Sequence, residues 1–163
     1  MRVLLVCLGA TAIFAYSVLG ALLMTRWELE AASGVSFDET VARMEAADEA
    51  KSDVPGICFA IFGVILSIAW VAASVNPRLR LPGWFSLSAW GAIVAFGAPA
   101  YFFLSFGNMN SVGDTFYDWN ASAAFALVSP LYVLSGVGVI IAVTALIIGM
   151  LKPRTARQSG APA

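Results

Sequence analysis

Residues Ala121–Leu151, ASAAFALVSPLYVLSGVGVIIAVTALIIGML, run without a single Asp, Glu, Lys, Arg, His, Asn or Gln. An apolar helix of about 20 residues rises roughly 30 Å, enough to cross the hydrocarbon core of a bilayer. Three further stretches share this character: Val3–Thr25, Gly56–Val75 and Trp84–Gly107. The chain has 163 residues, 60% of them hydrophobic and only 12% charged, far from the composition of a soluble domain. These stretches occupy most of the sequence, so the fold expected is all-α: a polytopic membrane protein, a four-helix transmembrane bundle. Residues 1–155 then form one membrane domain, with spans over about 3–25, 56–75, 84–107 and 121–151, and 156–163 form a disordered cytoplasmic tail.

The first stretch is read as a retained helix rather than a cleaved secretory signal. Its apolar run outlasts a typical signal core of about 7–15 residues, and its small-residue sites near Ala15 and Ala21 lie inside that run. Cys7 and Cys58 fall near opposite faces of the bilayer on antiparallel helices. A disulfide needs Cα atoms within about 7 Å, so no bridge between them is expected.

The charges between the stretches are sorted by sign. Arg2, Arg78, Arg80, Lys152, Arg154 and Arg157 fall on one side, with no acidic residue. Arg26, Arg43 and Lys51 fall on the other, with all ten acidic residues: Glu28, Glu30, Asp38, Glu39, Glu45, Asp48, Glu49, Asp53, Asp114 and Asp118. Lys and Arg are retained on the cytoplasmic side of short loops. Both termini are therefore expected in the cytoplasm, with the acidic loops outside. Alanine content and short loops suggest a bacterial inner (plasma) membrane.

The first outer loop, Glu28–Pro55, has an organised centre. Ser36 and Glu39 have the S-x-x-E spacing of a capping box. Phe37, Val41 and Met44 then recur at helical spacing among charged residues. A short amphipathic helix is expected over Phe37–Lys51, either on the membrane surface or packed over the bundle. The connection Asn76–Gly83 contains two prolines and a glycine, which cannot propagate a helix and force spans two and three to be adjacent. Gly91, Ala95, Gly97 and Ala98 give span three a small-residue face that permits close helix approach. Pro99 and Pro130 each remove a backbone hydrogen bond and kink their spans in the outer half. Proline is common in membrane helices and needs no function there. That ordinary reading is the preferred one; the alternative is that two kinks in the outer half splay the helices and open a lipid- or ligand-accessible cleft beneath the outer loops.

Little chemistry is legible. With no histidine and two distant cysteines, the usual haem, zinc and thiolate-cluster ligand sets cannot form, nor can Ser-His or Cys-His nucleophiles. No phosphate-binding glycine loop or basic aromatic patch occurs, so nucleic acid is not an expected partner. No catalytic, cofactor-binding or metal-binding residues are assigned, and no cofactor is expected. Glu45, Asp48 and Glu49, at i, i+3 and i+4 of the outer helix, join Asp114 and Asp118 of the second outer loop as an outer-face interaction surface. An ordinary solvated acidic face has the same spacing. Ser17, Ser67 and Ser135 are read as packing residues that bond to backbone or across helices, with a pore lining as the other possibility. Asn120-Ala121-Ser122 fits the N-glycosylation pattern, which has meaning only in a eukaryotic secretory setting.

The expected role is a non-enzymatic accessory or scaffold subunit of a larger membrane complex, with the lipid bilayer and a membrane-protein partner or a homo-oligomer as its associations. The alternative is a small homo-oligomeric channel or carrier with an acidic outer mouth.

Overall fold

The computed structural model describes residues 2–151. The expected tail, 156–163, lies outside the described residues, as do Lys152, Arg154 and Arg157. The described chain is helical throughout its regular parts: α1 (Arg2–Leu22), a π-helical turn (Leu23–Trp27), α2 (Glu28–Ser33), α3 (Phe37–Ala46), α4 (Val54–Val75), α5 (Gly83–Thr115) and α6 (Ala121–Leu151). Because α1, the π turn and α2 follow one another without a break, four helices are long and apolar enough to cross a membrane: Val3–Ser33, Val54–Val75, Gly83–Thr115 and Ala121–Leu151. The second and fourth match their expected bounds closely. The first continues past Thr25 to Ser33, and the third continues past Gly107 to Thr115.

Both extensions have the same cause. Hydropathy falls at Arg26 and at Asn108, but nothing there breaks a helix, and tertiary packing rewards continuing it. At about 1.5 Å per residue, helices of 31 and 33 residues reach roughly 46–50 Å, well beyond a 30 Å apolar layer. Their overhang meets α3 and the start of α6. There Leu29, Ala32, Met44, Val112, Phe116 and Ala124 form a small core of their own.

The helices pack chiefly in two pairs, α1 with α4 and α5 with α6. In the second pair the backbones nearly touch. A Cβ added at Gly91 would lie 2.7 Å from the Ala142 nitrogen and the Gly138 oxygen. One added at Gly138 would lie 2.8 Å from the Ala95 nitrogen and the Gly91 oxygen. Only glycine fits at that crossing. Hydroxyls and indoles tie the rest together. Ser67 Oγ donates to Ala10 O at 3.2 Å, Ser88 Oγ to Ala142 O at 3.0 Å, and Trp90 Nε1 to Gly9 O at 3.0 Å. Cys7 and Cys58 are free thiols.

The loop helix takes the packed one of its two expected placements, since α3 contacts α2 and α5. It begins as its cap dictates, with Ser36 Oγ accepting from Glu39 N at 3.4 Å. The Glu39 carboxylate pairs with Arg43. The helix ends at Ala46, five residues before the expected Lys51. Asp48 there adopts φ 62°, while the nitrogens of Asp48 and Glu49 bond back to Glu45 O and Met44 O. This is the Schellman closure, built on aspartate where glycine is usual. The buried face also differs from the expected one. Thr40 and Met44 are fully buried, whereas Phe37 and Val41 are half-buried. Arg26 and Lys51 cover the Phe37 ring, 5.2 and 4.8 Å from its centroid.

Candidate functional site

The expectation of a helix interior without ionisable groups is overturned at one residue. Glu28, assigned from sequence to an outer loop, is only 6% exposed and sits inside the bundle. Its position follows from the π turn. The buried face of the first helix advances through Ile13, Tyr16, Ser17, Gly20, Leu23 and Met24 at α-helical spacing. Trp27, seven residues after Gly20, would share that face in an unbroken α-helix. Instead Glu28 N bonds back five residues to Leu23 O, and burial resumes at Glu28, Leu29 and Ala32. Trp27 is left exposed. The inserted residue thus turns the indole outward and brings the carboxyl inward, a change for which π turns are often used at functional sites.

Asn108 supports this irregular turn. Its Nδ2 donates to Met24 O, within the π turn, at 3.2 Å and to Ser52 O at 2.8 Å. Its Oδ1 accepts from Ser52 N at 2.9 Å. One amide therefore links α5 to the first helix and to the segment entering α4. Asn108 is 3% exposed, so its satisfied amide is a buried tie rather than a loop residue.

The Tyr101 hydroxyl donates to Glu28 Oε2. Tyr101 is itself 1% exposed, and its ring packs edge-on to Phe59 and to Tyr132, with centroids 6.1 and 6.4 Å away. Among the described residues the ion pairs are Arg26–Glu30, Arg43–Glu39 and Lys51–Asp53, and none includes Glu28. A carboxyl taken out of water without a cation is costly, and in a membrane bundle such a group commonly marks a site.

Glu28 opens onto a cleft of about 500 Å³ between residues 102–110 of α5 and 121–132 of α6. Its lining includes five aromatic side chains, Phe102, Phe106, Trp119, Phe125 and Tyr132, with Ser105 and Asn110 as further polar residues. This cleft lies in the part of α5 and α6 around Pro99 and Pro130 where the less preferred reading of the sequence put an opening. Below it the two helices are strapped together. Ser135 Oγ donates to Val94 O at 2.8 Å and accepts from Ala98 N at 3.1 Å, bridging the helical ladder of α5 next to Pro99. Tyr16 Oη lies 2.9 Å from the same hydroxyl. The seam thus stays closed at Ser135.

The residues singled out from sequence are distributed differently. Glu45, Asp48 and Glu49 surround one shallow hollow of about 500 Å³ together with Lys51 and Asp53. They do not project from one helix face, because α3 has ended before Asp48. Asp114, expected in a loop, is exposed on the last turn of α5, Asp118 is exposed on the α5–α6 connection, and neither lines that hollow. Among the described residues no group of three or more His, Cys, Asp or Glu side chains has a geometry that could hold a metal ion. Asn120 acts as an N-cap: its Oδ1 accepts from Ala123 N at 2.9 Å, and its own nitrogen donates to Ala32 O at 2.7 Å.

Sequence reasoning missed Glu28 because Arg26, Glu28 and Glu30 look alike as a polar boundary. A finer signal was present. On a continued helix Arg26 and Glu30 pair at i, i+4, as they do at 3.4 Å. Glu28 instead has Met24, Thr25, Ala31 and Ala32 as its helical neighbours, none of them basic. No family model matches the chain, and no curated protein or solved structure matches it either.

Proposed function

We propose that this chain is a multi-pass membrane protein of the plasma membrane, with both termini in the cytoplasm, serving as a non-enzymatic accessory or scaffold subunit of a larger membrane complex. The observation that carries this reading is a second opening, on the α1–α4–α5 side. It is a groove of about 430 Å³ lined by Ile61, Phe62, Gly63, Ile65, Phe96 and Gly97 among others. Ile61, Phe62, Ile65 and Phe96 stand exposed around it as apolar side chains against which a second transmembrane helix can pack, whereas Gly63 and Gly97 are covered from within the bundle by Ser17 and Tyr16. The overhanging cap, with Glu45, Asp48, Glu49, Asp114 and Asp118 exposed or half-exposed around it, supplies a polar surface for the water-facing part of a partner.

The channel or carrier alternative draws on the same acidic surface. It is less well supported at the hydroxyls expected to line a pore. Ser17, Ser67 and Ser135 all donate to backbone carbonyls, of Ile13, Ala10 and Val94.

The test is to replace Ile65 by a photo-crosslinking residue in the native membrane, with Val143 on α6 as control; both are exposed. The accessory reading expects one defined adduct, of the same mass in every preparation, from position 65 and none from 143. Equal, diffuse labelling from both positions, with a strictly monomeric protein in mild detergent, would sink it. Cysteine labelling of the α4–α5 connection and of the α3 loop from outside intact cells checks orientation independently, and only the loop is expected to react.

A further inference from the structure

We propose that the cleft between α5 and α6 is a binding site for a lipophilic cation, an ammonium group carried on an apolar body. Three independent features converge on this chemistry. Its volume of about 500 Å³ lies within the range of small-molecule pockets. Five of its lining side chains are aromatic, a class that attracts ammonium ions through the ring quadrupole and holds apolar groups by contact. Among its lining residues is one carboxyl, that of Glu28, 6% exposed, whose hydrogen-bond partner is the neutral Tyr101 hydroxyl and which none of the ion pairs among the described residues includes. An anionic or purely apolar occupant leaves that carboxyl as it was. A cation supplies the opposite charge that a buried carboxylate lacks. Tyr101 keeps one carboxyl oxygen engaged and so orients the group, while Ser105 and Asn110 offer hydrogen bonds to a primary ammonium.

The same head-group chemistry has two sources: an amine- or choline-bearing lipid entering from the bilayer, and a free hydrophobic amine. The site depends on the membrane placement proposed above but not on the accessory role. A failed crosslink at position 65 leaves it standing, and its own failure leaves that role untouched.

The full-length protein in dodecyl maltoside, which carries no ammonium group, is titrated calorimetrically with benzyltrimethylammonium and with neopentylbenzene, its uncharged isostere. Wild type is expected to bind the cation at least tenfold more tightly than the isostere. Glu28→Gln, which preserves a carbonyl acceptor for Tyr101, is expected to lose that tenfold preference while keeping wild-type helicity by circular dichroism. Equal binding of the two probes to wild type overturns the proposal without reference to any variant. So does absence of binding by either probe, or an unchanged preference in Glu28→Gln. Native mass spectrometry then separates the sources. Retention of phosphatidylethanolamine or phosphatidylcholine over phosphatidylglycerol, lost in Glu28→Gln, identifies a lipid head group. Cation binding without such retention identifies a free amine.

Discussion

Two parts of this molecule are held together by different physics. At the acidic end, Leu29, Ala32, Met44, Val112, Phe116 and Ala124 form a compact apolar core under charged residues, as in a small soluble protein. Along the α5–α6 seam the close backbone contacts are Gly91 on Gly138 and Ser135 on the backbone of α5. Large apolar side chains such as Phe96, Phe103, Ile140 and Ile148 point outward there. With water outside, burying apolar area is worth roughly 25 cal/mol per Å² and selects Leu, Met and Phe for the interior. With lipid outside, an outward Phe loses nothing, so association relies on close backbone packing and hydrogen bonds. In the proposed membrane placement the switch from one pattern to the other falls near Met24 and Asn108, deeper than the helix ends.

The contrast can be broken most directly at Met44. Met44→Ala removes a fully buried side chain from the water-facing core and is expected to cost about 2–5 kcal/mol. The check is denaturant unfolding of purified protein, with proteolysis of the α3 loop as a local readout. Next is Gly91→Val, whose methyls enter the backbone of α6. Overpacking of this kind costs about 1–3 kcal/mol, and the expected sign is a lowered midpoint in thermal aggregation in detergent with the α3 loop still protected. Smallest is Ser135→Ala. Interhelical hydroxyl bonds in membrane bundles average about 0.6 kcal/mol and reach roughly 1.7, so the variant should unfold only slightly earlier in a dodecyl sulfate titration. A loss at Ser135 equal to that at Met44 would erase the distinction between the two regions.

The legibility of these regions in the sequence differs for the same reason. The number of long apolar helices was readable because uncharged runs of this length have few alternatives, whereas the pairing of α1 with α4 and of α5 with α6 was not. The Ser36 cap was readable because it is a local hydrogen bond at fixed spacing. Gly91 was marked as a contact residue, whereas its partner Gly138 was not, since only the crossing of α5 and α6 shows which glycines meet. The overhang was misplaced because Arg26, Asn108 and Asp114 look like loop residues until a neighbour covers the helix that carries them. The end of α3 was also misplaced: Asp48 takes the left-handed conformation usually left to glycine, and composition does not announce it.

By itself the sequence determined four apolar helices, the segregation of acid from base, a capped helix in the long loop, and the absence of histidine chemistry. These are properties of residue type and short-range spacing. Only the tertiary structure decided that Glu28 bonds to Tyr101 and lines a cleft shared with five aromatic residues. That placement depends on one extra residue in a helical turn, stabilised by Asn108 from a helix more than 80 positions away along the chain. No local pattern encodes which of several boundary carboxylates such a turn will bury.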